Sequence, residues 1–136
     1  MYPEYLVAPM REDLISAGYQ DLKTAAEVDE AVKSEGTVLV MVNSVCGCAA
    51  ANARPAAKIA TQQTKRPDKF VTVFAGMEKE AVDQARAHMM PFPPSSPAIA
   101  LFKDGKLVHM IERHQIEGRP AQMIADNLIQ AFDQFC

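Results

Sequence analysis

The sequence contains no long apolar run, no block of basic residues and too few cysteines for a disulfide framework. No stretch approaches the ~18 apolar residues that a transmembrane helix needs, so we expect no membrane partner. A net charge of −3 gives no general attraction to nucleic acid or to an anionic lipid surface.

The cysteine content indicates the compartment and the chemistry. Only three cysteines are present, and two of them are separated by a single residue. Three are too few for a secreted disulfide framework, whereas in a reducing compartment such a close pair more often serves redox chemistry or metal binding. The first five residues also lack the positive flank and apolar core of a secretory signal. We therefore expect a cytoplasmic protein.

The chain length of 136 residues fits a single domain covering residues 1–136. Apolar runs predict strands, and helical periodicity or caps predict helices. Asp104-Gly105 predicts a two-residue hairpin turn. The predicted strands cover residues 38–42, 70–75, 98–102 and 107–112. Five helices are predicted: one over residues 10–17, one that starts at Thr24, one that follows Cys48, one over residues 78–90, and one that starts near Pro120. This order predicts an α/β fold with a central mixed sheet flanked by helices on both faces.

The rest of the chain is organised around residues 37–63. A buried strand is followed by Cys46-Gly47-Cys48 and then by an alanine-rich helix. The dipole of a helix N-terminus favours negative charge and lowers the pKa of a nearby thiol, and the thiolate is the nucleophile. We predict that Cys46 is the attacking thiolate and Cys48 the resolving thiol. Gly47 would relax the backbone enough for a small, easily reduced disulfide ring.

Two other interpretations of the pair remain open. The cysteines are also compatible with inert, buried small side chains in a non-catalytic interaction module. Soft thiolates bind zinc or copper(I), so a metal carrier is the third alternative. A closed zinc site usually needs four ligands, and no supporting spacing is offered by the remaining candidates, which are His88, His109, His114 and Cys136. We therefore expect no resident metal. His109 and His114 are expected to be exposed or partly buried, and Cys136 to be a frayed terminal thiol.

Ser96-Pro97 directly precedes the predicted strand at residues 98–102. Its order and spacing relative to the cysteines match the loop that carries a cis proline, facing the cysteines, in thioredoxin-like folds. Only ~5–6% of X–Pro bonds are cis in folded proteins, but this match leads us to predict a cis Ser96–Pro97 bond. The backbone of this loop is then expected to bind an extended substrate, with Gly47, Ser96 and Pro97 as substrate-binding residues.

Three segments resemble the bacilliredoxins, bacterial thioredoxin-like proteins with a CxC site, some of which are described as disulfide isomerases. They are residues 44–48 (Ser-Val-Cys-Gly-Cys) with residues 51–55, residues 95–105, and residues 109–119. The similarity runs the whole length of the chain, including Met1-Tyr2-Pro3. The resemblance implies a thioredoxin-like fold and thiol–disulfide exchange.

The resemblance further implies removal of bacillithiol from mixed disulfides on client proteins. Cys46 would accept bacillithiol, and Cys48 or a free thiol would release it. No bound cofactor is expected; bacillithiol would be the redox partner. The chain departs from ordinary thioredoxins: a single residue separates the cysteines, tryptophan is absent, and no acid lies between Thr37 and Cys46. Residues 89–92 suit either the core or an apolar surface near the site, so a homodimer is left open.

Overall fold

The middle of the sheet is formed by an aliphatic strand, β2 (Thr37–Asn43), in which every residue is buried. The computed structural model describes residues 1–45 and 47–136, with the backbone alone for Cys48. The other strands are β1 (Gln20–Asp21), β3 (Lys69–Phe74), β4 (Ala98–Lys103) and β5 (Lys106–Ile111). The sheet order is β1-β3-β2-β4-β5. β1, β3 and β2 run parallel, whereas β4 is antiparallel to both β2 and β5.

Helices cover both faces of this sheet. Their bounds are α1 (Glu4–Ile15), α2 (Ala25–Val32), α3 (Gly47–Ala60), α4 (Lys79–His88), α5 (Arg113–Ile116) and α6 (Ala121–Phe135). Side chains of α1, α3, α5 and α6 form one apolar cluster with alternate residues of β2, including Leu39 and Met41. Side chains of α2 and α4 form the second cluster with Val38, Val40 and Val42. Because successive strand residues point to opposite faces, an uninterrupted aliphatic run supplies both cores.

The predicted fold class is confirmed, and so are several local features. The sheet is mixed and lies between two helical layers. Asp104 and Gly105 take φ values of 50° and 80° in the two-residue turn between β4 and β5. Thr24 Oγ1 accepts the Glu27 N–H at 3.1 Å, and Glu27 Oε1 accepts the Thr24 N–H at 3.1 Å, which is the predicted capping box.

Three sequence-based assignments were wrong or missing. The first helix begins at Glu4 rather than at residue 10, and it contains Pro9 within its length. β1 was not predicted, because a two-residue strand carries no hydrophobic alternation. The four-residue helix α5, which starts one residue after Glu112, was not predicted either. Among the helices that the structure describes, none has the length and apolar character needed to cross a bilayer.

Candidate thiol site

The structure describes only part of the predicted cysteine pair. Cys46 lies outside the described residues, and Cys48 is the second residue of α3 with its side chain likewise outside the description. Gly47 begins α3 with φ +41° and donates its N–H to the Val45 carbonyl at 2.8 Å. Glycine adopts this left-handed conformation at little cost. The attack order, the small disulfide ring and metal binding by this pair stay predictions.

The Ser96–Pro97 loop lies at the same end of the sheet as the exit from β2. The predicted cis Ser96–Pro97 bond is confirmed, and Met90–Pro91 is cis as well. The last registered pair between β2 and β4 is Val42 with Ala98. Pro97 therefore precedes β4 where Asn43 ends β2. The topology brings this loop beside the segment that leads into Cys46, while substrate binding by Gly47, Ser96 and Pro97 stays a prediction.

A buried polar cluster holds the exit from β2. Asn43 is 1% exposed, and its Nδ2 donates to the Met10 carbonyl of α1 at 3.0 Å. Its Oδ1 accepts the Ser44 N–H at 2.9 Å. Since buried polar groups without partners are costly, these bonds fix the conformation of the chain two residues before Cys46.

Arg54 completes this cluster from α3. Its Nη1 donates to the Ser44 carbonyl at 2.8 Å and to Asn43 Oδ1 at 3.2 Å. Burial lowers the pKa of the Arg54 guanidinium, and the carboxylate of Asp13 opposes that shift. Arginine nevertheless stays protonated in proteins, so a half-buried positive charge lies on the segment before Cys46.

A second arginine connects the β5–α5 junction to the Ser96–Pro97 loop. Arg113 Nη1 donates to the Ser96 carbonyl at 3.2 Å, and the Arg113 N–H donates to Ser95 Oγ at 3.4 Å. Arg113 Nε also forms an ion pair with Glu117 one helical turn later. The predicted substrate-binding loop is therefore anchored by α5, an element that the sequence analysis missed.

The helix that supplies the Met10 carbonyl is itself fixed by a buried ion cluster. Arg11 is 6% exposed, donates to Asp21 Oδ2 at 3.0 Å and to Glu78 Oε2 at 2.7 Å, and lies 5.2 Å from the centre of the Phe74 ring. The bond to Glu78 raises the pKa of the Arg11 guanidinium. Burial raises the pKa of the Asp21 carboxyl, and Arg11 opposes that rise. The cluster ties α1 to the edge of the sheet.

A groove of about 520 Å³ opens between α1 and α3 beside Arg54. Its wall consists of Pro9, Met10, Glu12, Asp13, Ser16 and Arg54. Asp13 forms an ion pair with Lys58 of α3 at 2.8 Å. The wall carries two carboxylates and one guanidinium, so this groove is a poor receptor for an anion.

The histidines and the third cysteine lie away from this cluster. His88 contacts Asp29 Oδ1 at 2.7 Å, and His109 contacts Asn127 Oδ1 at 2.6 Å. His109 is partly buried and His114 is exposed, so the prediction for these two histidines is confirmed. Cys136 is a free thiol whose pKa is raised by partial burial, and the nearby Thr37 side chain opposes part of that rise. Within residues 1–45 and 47–136, no three described metal-ligating side chains gather into a cluster.

Sequence reasoning identified the cysteines and the proline loop but missed their supports. Asn43, Arg54 and Arg113 act through bonds to the backbone of residues 10 to 33 positions away. The one local signal was a charged residue, Arg54, inside an alanine-rich helix. That signal is weak, because most charged residues on helices simply face solvent.

Comparison with known proteins shows close relatives over nearly the whole chain. The sequence model of a family described as Disulphide isomerase matches residues 2–136. A protein named Bacilliredoxin from Cytophaga hutchinsonii is 53% identical over 134 residues, which cover 98% of this chain and 99% of that protein. A Bacilliredoxin from Halalkalibacterium halodurans is 51% identical over 131 residues, covering 96% of this chain and 90% of the relative.

Solved structures with a similar backbone are thioredoxins and related proteins. A putative oxidoreductase with a thioredoxin fold superposes with a TM-score of 0.65 at 15% identity, covering 83% of this chain and 95% of that one. Thioredoxin from Trypanosoma brucei brucei gives a TM-score of 0.60 at 18% identity, covering 86% and 93%. At this level of identity the similarity establishes the fold alone, which is thioredoxin-like.

Proposed function

Because this chain belongs to the bacilliredoxin family, we propose that it is a thiol–disulfide oxidoreductase that removes bacillithiol from client proteins through Cys46 and Cys48. The observation that carries the proposal is the identity of about half of all positions with bacilliredoxins over nearly the whole chain. The family and the fold support a thiol–disulfide oxidoreductase type of activity. The substrate and the roles of the two cysteines are proposed here.

The exchange would proceed in two displacements. The Cys46 thiolate attacks the bacillithiol sulfur of a mixed disulfide; the client cysteine leaves with the electron pair and takes up a proton. Cys46 then carries bacillithiol as a new mixed disulfide. The Cys48 thiolate attacks Cys46, bacillithiol leaves as a thiolate, and a Cys46–Cys48 disulfide forms. Two external thiol equivalents reduce that disulfide, so no bound cofactor is needed.

The arrangement around the site supports this chemistry. The cysteine pair lies at the junction of β2 and α3, where the N-terminal end of a helix favours a thiolate. The Ser96–Pro97 loop adjoins that junction and is proposed to bind the client segment next to the mixed disulfide.

The test uses a reduced Cys48→Ser variant and a model protein that carries a bacillithiol mixed disulfide. Mass spectrometry should show bacillithiol leaving the client and remaining on Cys46, because no internal thiol can release it. Cys46→Ser should show no transfer, and Cys136→Ser should behave like the wild type. If exchange is lost in Cys48→Ser but kept in Cys46→Ser, the proposed order of attack is wrong. If the reduced wild type leaves the mixed disulfide intact, bacillithiol is not the substrate.

A second activity, disulfide isomerisation, is favoured by the description of the matching family. Isomerisation needs an attacking thiol but no net reduction, so Cys46 alone would suffice. We expect Cys48→Ser to catalyse the refolding of a protein with scrambled disulfides more slowly than the wild type does. Cys46→Ser should not catalyse it. If the wild type refolds the scrambled protein no faster than a sample without enzyme does, isomerisation is excluded.

A further inference from the structure

The strand that leads into the site carries no acidic residue that could accept a proton from a thiol. β2 ends on Asn43, a neutral residue that is 1% exposed, and the segment from Thr37 to Val45 contains no Asp or Glu. The Asn43 amide is occupied by the Met10 carbonyl and the Ser44 N–H. A thiol can also be activated without a base, by a fixed positive charge that stabilises its thiolate form.

Arg54 supplies such a charge at the exit from β2. Its Nη1 lies 2.8 Å from the Ser44 carbonyl and 3.2 Å from Asn43 Oδ1. Ser44 is 3% exposed and Asn43 1% exposed, so the guanidinium is bound to buried groups. Both acceptors are neutral oxygens, so neither cancels the charge.

Two further cations near this end of the sheet, Arg11 and Arg113, are paired with acids. Arg11 lies between Asp21 and Glu78, and Arg113 pairs with Glu117. Asp13, the acid that faces Arg54 across the groove, is paired with Lys58 at 2.8 Å. In the part of the chain that the structure describes, Arg54 forms no ion pair with a carboxylate.

The covalent chain keeps this charge near the site. Cys46 follows Ser44 by two residues, and two residues span at most roughly 7 Å. At an effective dielectric constant of about 20, two opposite unit charges on the order of 10 Å apart shift a pKa by about one unit. Arg54 is only half-buried, so added salt screens part of this interaction.

We propose that Arg54 is a positioning residue of the thiol site, which holds the exit from β2 and stabilises the thiolate of Cys46 with its positive charge. The inference rests on the proposed function in taking Cys46 as the attacking thiol. On this proposal the Cys46 thiol is activated by the permanent charge of Arg54 on α3 together with the N-terminus of that helix. The further charged groups at this end of the sheet are Glu12 and Asp13 of α1, Lys58 of α3, and Glu112, Arg113, His114 and Glu117 around α5.

The experiment measures the pH dependence of Cys46 alkylation by iodoacetamide, in reduced full-length protein carrying Cys48→Ser. Mass spectrometry resolves the labelling of each cysteine, so Cys46 is followed alone. Arg54→Gln removes the charge but keeps an N–H donor for the Ser44 carbonyl. Arg54→Lys keeps the charge but changes the donor geometry. Arg66→Gln is the matched control, because it makes the same chemical change at an exposed residue that donates to the Thr61 carbonyl after α3.

We expect Arg54→Gln to shift the alkylation midpoint upward by about one pH unit. At a pH below both midpoints the thiolate fraction then falls about tenfold, and the greater nucleophilicity of the more basic thiolate restores about threefold. Alkylation should therefore slow by a factor of about three. Arg54→Lys should shift the midpoint by less than half as much, and Arg66→Gln should leave it unchanged.

Three results would overturn the proposal. They are an unchanged midpoint in Arg54→Gln, a shift in Arg54→Lys as large as that in Arg54→Gln, and an equal shift in Arg66→Gln. Thermal melting of each variant identifies loss of the fold. If Arg54→Gln does not fold, the salt dependence of the wild-type midpoint decides: a midpoint that does not rise with ionic strength overturns the proposal.

This measurement uses no disulfide substrate, so its failure differs from a failure of the proposed function. A shifted midpoint in a protein that leaves bacillithiol mixed disulfides intact would keep the role of Arg54 and remove the substrate. Transfer of bacillithiol to Cys46 with an unshifted midpoint would do the reverse.

Discussion

The side-chain amide of Asn43 joins the end of the central strand to the N-terminal helix through the Met10 carbonyl, at 3.0 Å. The same amide group accepts the Ser44 N–H at 2.9 Å and the Arg54 guanidinium at 3.2 Å. A single buried side chain thus connects α1, β2 and α3 just before Cys46. The conformation of the thiol segment depends on an element that lies more than 30 residues earlier.

Replacing Asn43 with leucine should destabilise the fold, because the side chain is similar in volume but offers no polar atoms. The Met10 carbonyl and the Ser44 N–H would remain buried without this partner, at about 1–3 kcal/mol for each group. We expect a total loss of about 2–4 kcal/mol in the free energy of unfolding, measured by urea denaturation. Asn52→Leu, at a half-exposed position of α3, is the control and should change stability by less than about 0.5 kcal/mol.

Replacing Arg11 with methionine should be more damaging still. The substitution leaves Asp21 and Glu78 facing each other around a buried position without the cation, and breaking a buried ion pair costs about 3–5 kcal/mol. Adding Asp21→Asn and Glu78→Gln removes the stranded charges and should recover part of the loss. A triple variant no more stable than Arg11→Met in urea would show that packing of the arginine, rather than its charge, holds α1.

Tyr19→Phe tests a bond between the β1 region and α3. The Tyr19 hydroxyl is buried and donates to the Ala57 carbonyl at 2.8 Å, near the C-terminal end of α3 where carbonyls lack helical partners. Burial also raises the pKa of Tyr19, so the hydroxyl keeps its proton. We expect a loss of about 1–2 kcal/mol in calorimetry. Tyr5→Phe, at a residue 83% exposed, is the matched control and should have no measurable effect.

Acidification should weaken the contact between α2 and α4. The hydrogen bond with His88, followed by that with Gln84, lowers the pKa of the Asp29 carboxyl below its ordinary value of 3.8. The unfolded chain therefore binds this proton more tightly, so Asp29 stabilises the folded state above about pH 3.8 and that contribution is lost as the pH falls through the lower folded pKa. Urea midpoints between about pH 2.5 and 5 should fall less steeply for Asp29→Asn than for the wild type. Parallel curves would contradict this role.

Arg113→Ala should affect substrate binding more than the chemical step. The side chain anchors the Ser96 carbonyl, and the Ser96–Pro97 loop is proposed to bind the client. Loss of the anchor should raise KM for a protein mixed disulfide several-fold, with kcat changed by less than about twofold. Arg119→Ala, which removes an exposed arginine bound to the Gln115 carbonyl, serves as the control. An unchanged KM would show that Arg113 does not contribute to substrate binding.

The features predicted from sequence are those encoded by contiguous residues. The aliphatic run of β2, the Asp104-Gly105 turn and the Thr24–Glu27 capping box each depend on neighbours within a few positions, and each is confirmed. The start of α1 was missed; the helix contains Pro9, and a proline inside a helix removes a backbone hydrogen bond and weakens the helical pattern. β1 was missed because its pairing with β3 is set by tertiary contacts rather than by an apolar pattern.

The site was predictable only in part for the same reason. A cysteine pair after a strand and a proline before another strand are visible as motifs. The bonds of Asn43, Arg54 and Arg113 join segments that are distant in sequence, and polar residues in such roles are indistinguishable from solvated ones until the fold brings their partners together.

The third cysteine has a practical consequence for work on the other two. Its thiol lies near Thr37, at the opposite end of β2 from Asn43, and six residue steps of a strand span roughly 20 Å. Changes made around Asn43 should therefore leave the labelling rate of Cys136 constant. Cys136 is therefore an internal reference thiol, and the reactivity of Cys46 can be normalised to it within each sample of each variant.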